Sequence, residues 1–308
     1  MRPVSSWPIV VGVGALLSCQ ALISSTETQC DTDADCAAHG SAFAGTRCEN
    51  HVCRTGQVGL DGGAEAGDGA VPVDPSWACV GKVQWSTQSV TEKVKYHLRF
   101  ARLIGGTPIV GLHGKACGSL DPECTTPFAQ ANTDANGEFE LEIPLGFRGN
   151  VHLPAGPSTF PTMAPTLVAV YPPPDKDVLT PFADITITPV SLDELNYLLS
   201  QVKSAADPNL GHVFGVALDC NNQRAAGVSL SSSAKDVKTV QYYYQGADNP
   251  TVTAQGTDVN GNAGFLNLPP GVVTLETRPA SLGTKRSGSY GLLVKKATVT
   301  IVYMVPTP

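Results

Sequence analysis

The sequence lacks the short patterns that carry most enzyme chemistry. None of His39, His51, His97, His113, His152 and His212 has a glutamate three positions later, so there is no His-x-x-Glu zinc pair. There is no His-Glu-x-x-His, no Gly-x-Ser-x-Gly elbow and no phosphate-binding glycine loop; Gly12-Val13-Gly14 falls within the leader. A Ser-His-Asp set assembled only in three dimensions leaves no mark in sequence. Charged residues are scarce at 15%, and the formal net charge of −7 disfavours nucleic acid or an anionic lipid surface as the main partner. Calcium is excluded on spacing. Asp31-Thr32-Asp33-Ala34-Asp35 starts like an EF-hand loop, but Cys36 stands where glycine is required and Ala42 where a bidentate glutamate should be. No metal and no cofactor are expected.

A run long enough to span a bilayer is also missing, since about 20 apolar residues are needed. Instead, Arg2 and the apolar stretch Ile9 to Leu17 have the parts of a secretory signal. The stretch ends in Leu16-Leu17-Ser18-Cys19, which resembles the lipobox of bacterial lipoproteins. That resemblance implies lipidation of Cys19 and membrane attachment through acyl chains, each buried CH₂ contributing roughly 0.8 kcal/mol. Gln20 follows, and its resemblance to lipoproteins without a retaining Asp points to the outer membrane, on its periplasmic side or at the cell surface.

Nine cysteines less Cys19 leave eight, an even number in an exported chain. Cys30, Cys36, Cys48 and Cys53 lie in a segment too short to build its own core, which two disulfides would hold. Three connectivities are open; the interlocked one, Cys30–Cys48 with Cys36–Cys53, knits the segment better. Their spacing, with Asp33-Ala34-Asp35-Cys36 inside it, resembles the cysteine-rich modules likened to the Dickkopf N-terminal region. Zinc would prefer closer Cys-x2–4-Cys pairs. Cys117 and Cys124 bracket a turn-like stretch and are expected to close a local loop. Cys79 and Cys220 remain, and pair by elimination.

Two copies of one signature organise the rest. Thr133-Asp134-Ala135-Asn136-Gly137 is followed by Glu138 to Gly146, where apolar residues alternate with glutamates as on a strand with one wet face. Thr257-Asp258-Val259-Asn260-Gly261 leads to Leu266-Asn267-Leu268-Pro269-Pro270-Gly271. Asn-Gly before such a run predicts a hairpin turn with both residues at positive φ. Asp134 and Asp258 lie 124 positions apart, which indicates one β-rich unit used twice. Short β-prone runs surround them: Val80 to Trp85, Val94 to Phe100, Ile109 to Leu112, Leu167 to Tyr171 and Ile185 to Ile187 in the first copy. The second has Val213 to Leu218, Val228 to Leu230, Val237 to Tyr244, Val252 to Ala254, Val272 to Thr277 and Leu292 to Met304. Between the copies, Ser191 and Glu194 form a capping box and Val190 and Leu195 a staple. Leu192, Leu195, Leu198, Leu199 and Val202 make one helical face, and Asp207-Pro208 is the stop.

The stretch Ala217 to Leu230, with Ala226-Gly227-Val228-x-Leu230, then Thr-Asp-x-Asn-Gly and Leu-Pro-Pro-Gly, resembles a carboxypeptidase regulatory-like domain, a transthyretin-like seven-stranded sandwich. The resemblance covers Gly211 to Val305, and more loosely Trp77 to Val190, whose strands and loops are longer. It implies a non-catalytic spacer, folding aid or binding surface.

The fold expected is therefore mainly β. Two antiparallel seven-stranded sandwiches are joined by one short helix and preceded by a disulfide-rich segment and a flexible linker. The partition is a signal peptide at 1–18, a spacer at 19–29, the cysteine-rich module at 30–53 and an acidic linker at 54–76. The first sandwich follows at 77–190, the helix at 191–210 and the second sandwich at 211–308. Tyr242, Tyr243 and Tyr244 are candidate binding residues, because a strand turns at least one ring outward, where it could stack on sugars or anchor a protein. Two of the three filling the core is the competing expectation. The function expected is a membrane-anchored lipoprotein that binds a protein or glycan ligand without catalysis. A structural spacer of an envelope complex is the alternative, and a hydrolase with an unrecognised site stands third.

Overall fold

The computed structural model describes residues 30, 32, 34–35, 46–49, 52–55, 74–89, 91–178, 186–246 and 249–308. The signal peptide, Cys19, the spacer, Cys36, the side chain of Cys53 and residues 56–73 of the linker lie outside the described residues. The chain divides into two compact units, residues 1–69 and 70–308.

In the first unit, β1 (Thr46–Glu49) and β2 (Val52–Thr55) pair antiparallel, with Cys48 opposite Cys53. Cys30 is buried and bonded to Cys48, their Cα atoms 5.8 Å apart. Thr32 donates its N–H and its hydroxyl to Asp35 Oδ2 at 2.7 and 3.0 Å, which closes an exposed turn.

The second unit begins with β3 (Lys93–Arg99), β4 (His113–Gly118), β5 (Ala129–Asn132), β6 (Glu138–Pro144), β7 (Gly149–Leu153) and β8 (Thr166–Ala169). Helix α1 (Leu192–Gln201) follows. Then come β9 (Gly211–Ala217), β10 (Val228–Ser232), β11 (Val240–Tyr244), β12 (Pro250–Thr251), β13 (Asn262–Leu268), β14 (Gly271–Pro279), β15 (Gly288–Val294) and β16 (Val299–Met304). The capping box at α1 is formed: Glu194 N–H donates to Ser191 Oγ at 3.1 Å, and Ser191 N–H to Glu194 Oε2 at 2.6 Å. Leu195, Leu198 and Leu199 are buried, whereas Leu192, expected on the same face, is exposed.

The two sequence copies are not separate bodies hinged on that helix. Nine strands form one sheet, ordered β12-β11-β13-β9-β16-β8-β7-β4-β5, and the copies meet where β16 runs parallel to both β9 and β8. A backbone ladder joins them. The remaining strands form the pair β3-β6 and the sheet β10-β14-β15. Two cores result, one on either face of the nine-stranded sheet. In β16, Val299, Ile301 and Tyr303 enter the core shared with β3, β6 and α1. Val302 and Met304 enter the core shared with β10, β14 and β15. All six β16 residues are buried, the condition that favours an unbroken apolar run over alternation. By contrast, β6 keeps the alternation read from its sequence. Phe139, Leu141 and Ile143 face inward, while Glu138 and Glu140 face solvent and pair with Arg99 (2.6 Å) and Lys95 (3.0 Å).

Several sequence expectations change. Leu292 to Met304 is two strands, broken at Lys295 to Thr298 where Ala297 takes φ 49°. Ile109 to Leu112 is a loop, and the strand starts at His113. Val80 to Trp85 is not a strand either, since its backbone is held by a turn and a disulfide rather than a ladder. The Thr-Asp-x-Asn-Gly segments do not close hairpins: β5 pairs with β4, and β6 pairs with β3. The first leads from the nine-stranded sheet to the β3-β6 pair, the second joins β12 and β13 on opposite sides of β11, and of each Asn-Gly pair only the glycine has positive φ (Gly137 75°, Gly261 69°).

Candidate functional site

The chain enters the second unit as a strap. Asp74 Oδ1 accepts from Ser76 N–H at 3.0 Å and caps a short turn over Pro75–Trp77. Sequence order places Trp77 at the head of the first copy, yet its side chain is buried in the core beneath β10, β14 and β15. Cys79 is bonded to Cys220 (Cα–Cα 5.8 Å), and Cys220 N–H donates to Ser76 O at 2.9 Å. The strap is thereby fastened to the C-terminal copy before the chain runs on to β3.

Beyond the strap lies a groove of about 280 Å³. Trp85 and the Cys79–Cys220 bridge line it together with Pro172 and Asp175 from the loop after β8. Asp219, Asn222 and the buried Val305 and Pro306 come from the C-terminal copy. The groove therefore sits at the seam of the two copies, a usual place for ligand sites. Gln84 and Ser86 add an amide and a hydroxyl, and no lysine or arginine lines it.

The half-buried Trp85 is held by its neighbours. The Arg148 guanidinium lies over its ring at 5.6 Å, and the Tyr171 ring packs beside it at 5.7 Å. Tyr171 is fixed in turn: its hydroxyl donates to Gly291 O at 2.9 Å and its ring meets Tyr290 edge-on at 5.4 Å. Burial raises the Tyr171 phenol above its ordinary pKa, so it stays neutral. Asp219 Oδ1 accepts from Asn221 N–H (2.8 Å) and Gln223 N–H (2.9 Å), which fixes the carboxylate in its loop. The tilted aromatics, the prolines and the disulfide make a pre-shaped wall with a polar rim.

The tyrosine triplet is elsewhere. Tyr242 and Tyr243 are 1% and 4% exposed and enter opposite cores, because the sheet carrying β11 is covered on both faces. Tyr243 Oη accepts from Leu230 N–H at 2.9 Å and from Gln241 Nε2 at 2.6 Å. Tyr244 is half-buried, with its ring against Tyr242 at 5.8 Å. Two of the three rings thus fill cores, the second of the two expectations drawn from the sequence. These rings form no exposed platform.

Cys117 and Cys124 are bonded (Cα–Cα 5.3 Å) at the far side of the sheet. Asp121 in their loop accepts from Thr125 and Thr126 N–H, which hold its carboxyl below the usual range. Among the described residues, no three His, Cys, Asp or Glu side chains gather as a metal site.

In sequence Trp85 is only the last residue of the β-prone run Val80 to Trp85, which does not single it out as a site residue. Its one local signal is the polar pair Gln84 and Ser86 on either side.

No family model matches the chain, and no curated protein matches it. Among solved structures, the chain is similar to the Bacillus anthracis TIE protein at 11% identity and TM-score 0.25, over 69% of this chain and 33% of that one. It thus spans about a third of that protein's length. A shaft pilin, SpaA from Lactobacillus rhamnosus GG, matches at 12% identity and TM-score 0.22, over 70% of this chain and 99% of that one. The Streptococcal ancillary pilin matches at 14% identity and TM-score 0.21, over 70% of each chain. None of these superpositions amounts to a shared fold.

Proposed function

We propose that the protein is an exported lipoprotein, held on the outer membrane through Cys19, whose β-rich body binds a ligand without catalysing a reaction. The leader, the even cysteine set and the acidic linker support export and tethering. The regulatory-like signature around Thr257 to Gly271 supports a non-catalytic body. One observation carries the binding role. A binder needs a concave, partly aromatic patch, and the seam groove beside Trp85 is one, whereas a brace needs a broad flat interface.

The test is retention from native envelope extracts on the immobilised protein and on its Trp85→Ala variant. Binding through the groove is lost in the variant. A stoichiometric protein partner retained equally by both forms would instead favour the structural brace. That second reading has its own support in the β8–β16 ladder and the Cys79–Cys220 fastening, which join both copies into one stiff body.

A further inference from the structure

We infer that the seam groove takes an uncharged saccharide, its ring laid on Trp85. The inference rests on the groove being the binding site proposed above and names its ligand class. Charge comes first. Asp175 and Asp219 line the groove and no lysine or arginine does, the Arg148 guanidinium over the Trp85 ring being the cation beside it, so an anionic ligand would meet two carboxylates against one neighbouring cation. A cation fares no better at the tryptophan, because the Arg148 guanidinium already lies over that ring at 5.6 Å, and a ligand is left the side of Trp85 that lines the groove. The remaining ligand is neutral.

Its shape follows from the wall chemistry. Pro172, Pro173 and Pro306 give no backbone N–H, and β16 ends just before the groove, paired with β9 through Met304 and with β8 through Val302, which leaves only two residues of one edge unpaired there. An extended peptide would need a longer free strand edge to add to. Recognition falls to side chains instead: the Trp85 ring, the Gln84 and Asn222 amides, the Ser86 hydroxyl and the carboxylates. A pyranose matches this set, with an apolar C–H face for an aromatic ring and a rim of hydroxyls that both donate and accept. The volume of about 280 Å³ is just below the range of small-molecule sites, roughly 300–1,000 Å³, and suits no more than a short saccharide.

The experiment uses the full disulfide-bonded protein on a glycan array. Titration with maltose, cellobiose, lactose and N,N′-diacetylchitobiose follows, read by calorimetry and tryptophan fluorescence. Glucuronic acid, a lysine-rich peptide and a proline-rich peptide are the comparison probes. Saturable binding of a neutral saccharide is expected, weakened about tenfold by Trp85→Ala. The milder Gln84→Ala, on an exposed side chain that lines the groove, should weaken it with the unfolding midpoint unchanged. Tyr197→Ala on the exposed face of α1 should leave it intact. Peptide binding that Trp85→Ala abolishes, with no saccharide bound, overturns the saccharide class and leaves the groove as a binding site. Saccharide binding indifferent to both groove variants overturns the groove assignment, and silence toward every saccharide overturns this inference, whereas the binding reading itself falls only if Trp85→Ala also changes nothing retained from envelope extracts.

Discussion

Thr133 and Thr257 make the same two-bond clamp 124 positions apart. Thr133 Oγ1 accepts from Leu112 N–H at 2.9 Å and donates to Ile109 O at 2.5 Å. Thr257 Oγ1 accepts from Val228 N–H at 3.0 Å and donates to Ala225 O at 2.6 Å. In both copies donor and acceptor are three residues apart, and both threonines are 5% exposed. The next residue continues the match: Asp134 Oδ1 accepts from Asn136 N–H and Asp258 Oδ1 from Asn260 N–H, each at 2.9 Å. The signature is a loop fastener used twice.

Thr133→Val and Thr257→Val should each therefore lower stability by about 1–3 kcal/mol, the cost of stranding buried backbone partners of a lost hydroxyl. Asp134→Ala should lower the urea midpoint less, because its carboxylate is exposed. Gly137→Val should be worse than any of these. A Cβ there collides with the Phe100 carbonyl, and φ 75° is hostile to a β-branched residue. Equal midpoints for Thr133→Val and wild type would refute the clamp.

Acid should destabilise the body through His212. Burial lowers its pKa from the usual 6.5 to about 4, and its Nδ1 accepts from Asn267 N–H at 3.4 Å as a neutral imidazole does. The unfolded chain binds the proton first, so this contribution is full above about pH 6.5 and is lost as pH falls toward 4. The loss is of the order of 3 kcal/mol, and burial shifts His152 in the same direction. Proton NMR titration should place the His212 midpoint well below 6. An ordinary midpoint would defeat the prediction.

Cys79→Ser with Cys220→Ser should destabilise the body by about 4 kcal/mol, since the bridge closes a loop spanning 141 positions. Trp77→Ala should cost about 3–5 kcal/mol by emptying part of the C-terminal core. Guanidinium unfolding curves read both. A negligible effect of Trp77→Ala would mean that the strap is not packed there.

Cys19→Ala should release the protein from membranes or stop its maturation, and lipid-precursor labelling should mark the wild type alone. Peptide mapping without reduction should find no free thiol in the mature chain, with Cys36 bonded to Cys53. A bridge from the Cys30 to Cys53 segment into residues 70–308 would contradict independent units.

The local features were legible in the chain itself. A capping box, an alternation of apolar residues with glutamates, a repeated Thr-Asp-x-Asn-Gly and a turn closed by Cys117 and Cys124 all act over a few residues, so neighbouring side chains suffice to specify them. Sequence-distant pairing was not legible. That β16 lies between β8 and β9, that Tyr242 and Tyr243 enter opposite cores, and that Trp77 belongs to the other copy all depend on which ladders and cores close. An apolar run reads the same whether one face or two will be covered, and a strand carries no mark of its partner. The groove at Trp85 depends on the same closure, because its walls are brought together from residues 79–86, 172–175, 219–222 and 305–306 only when both copies share one sheet.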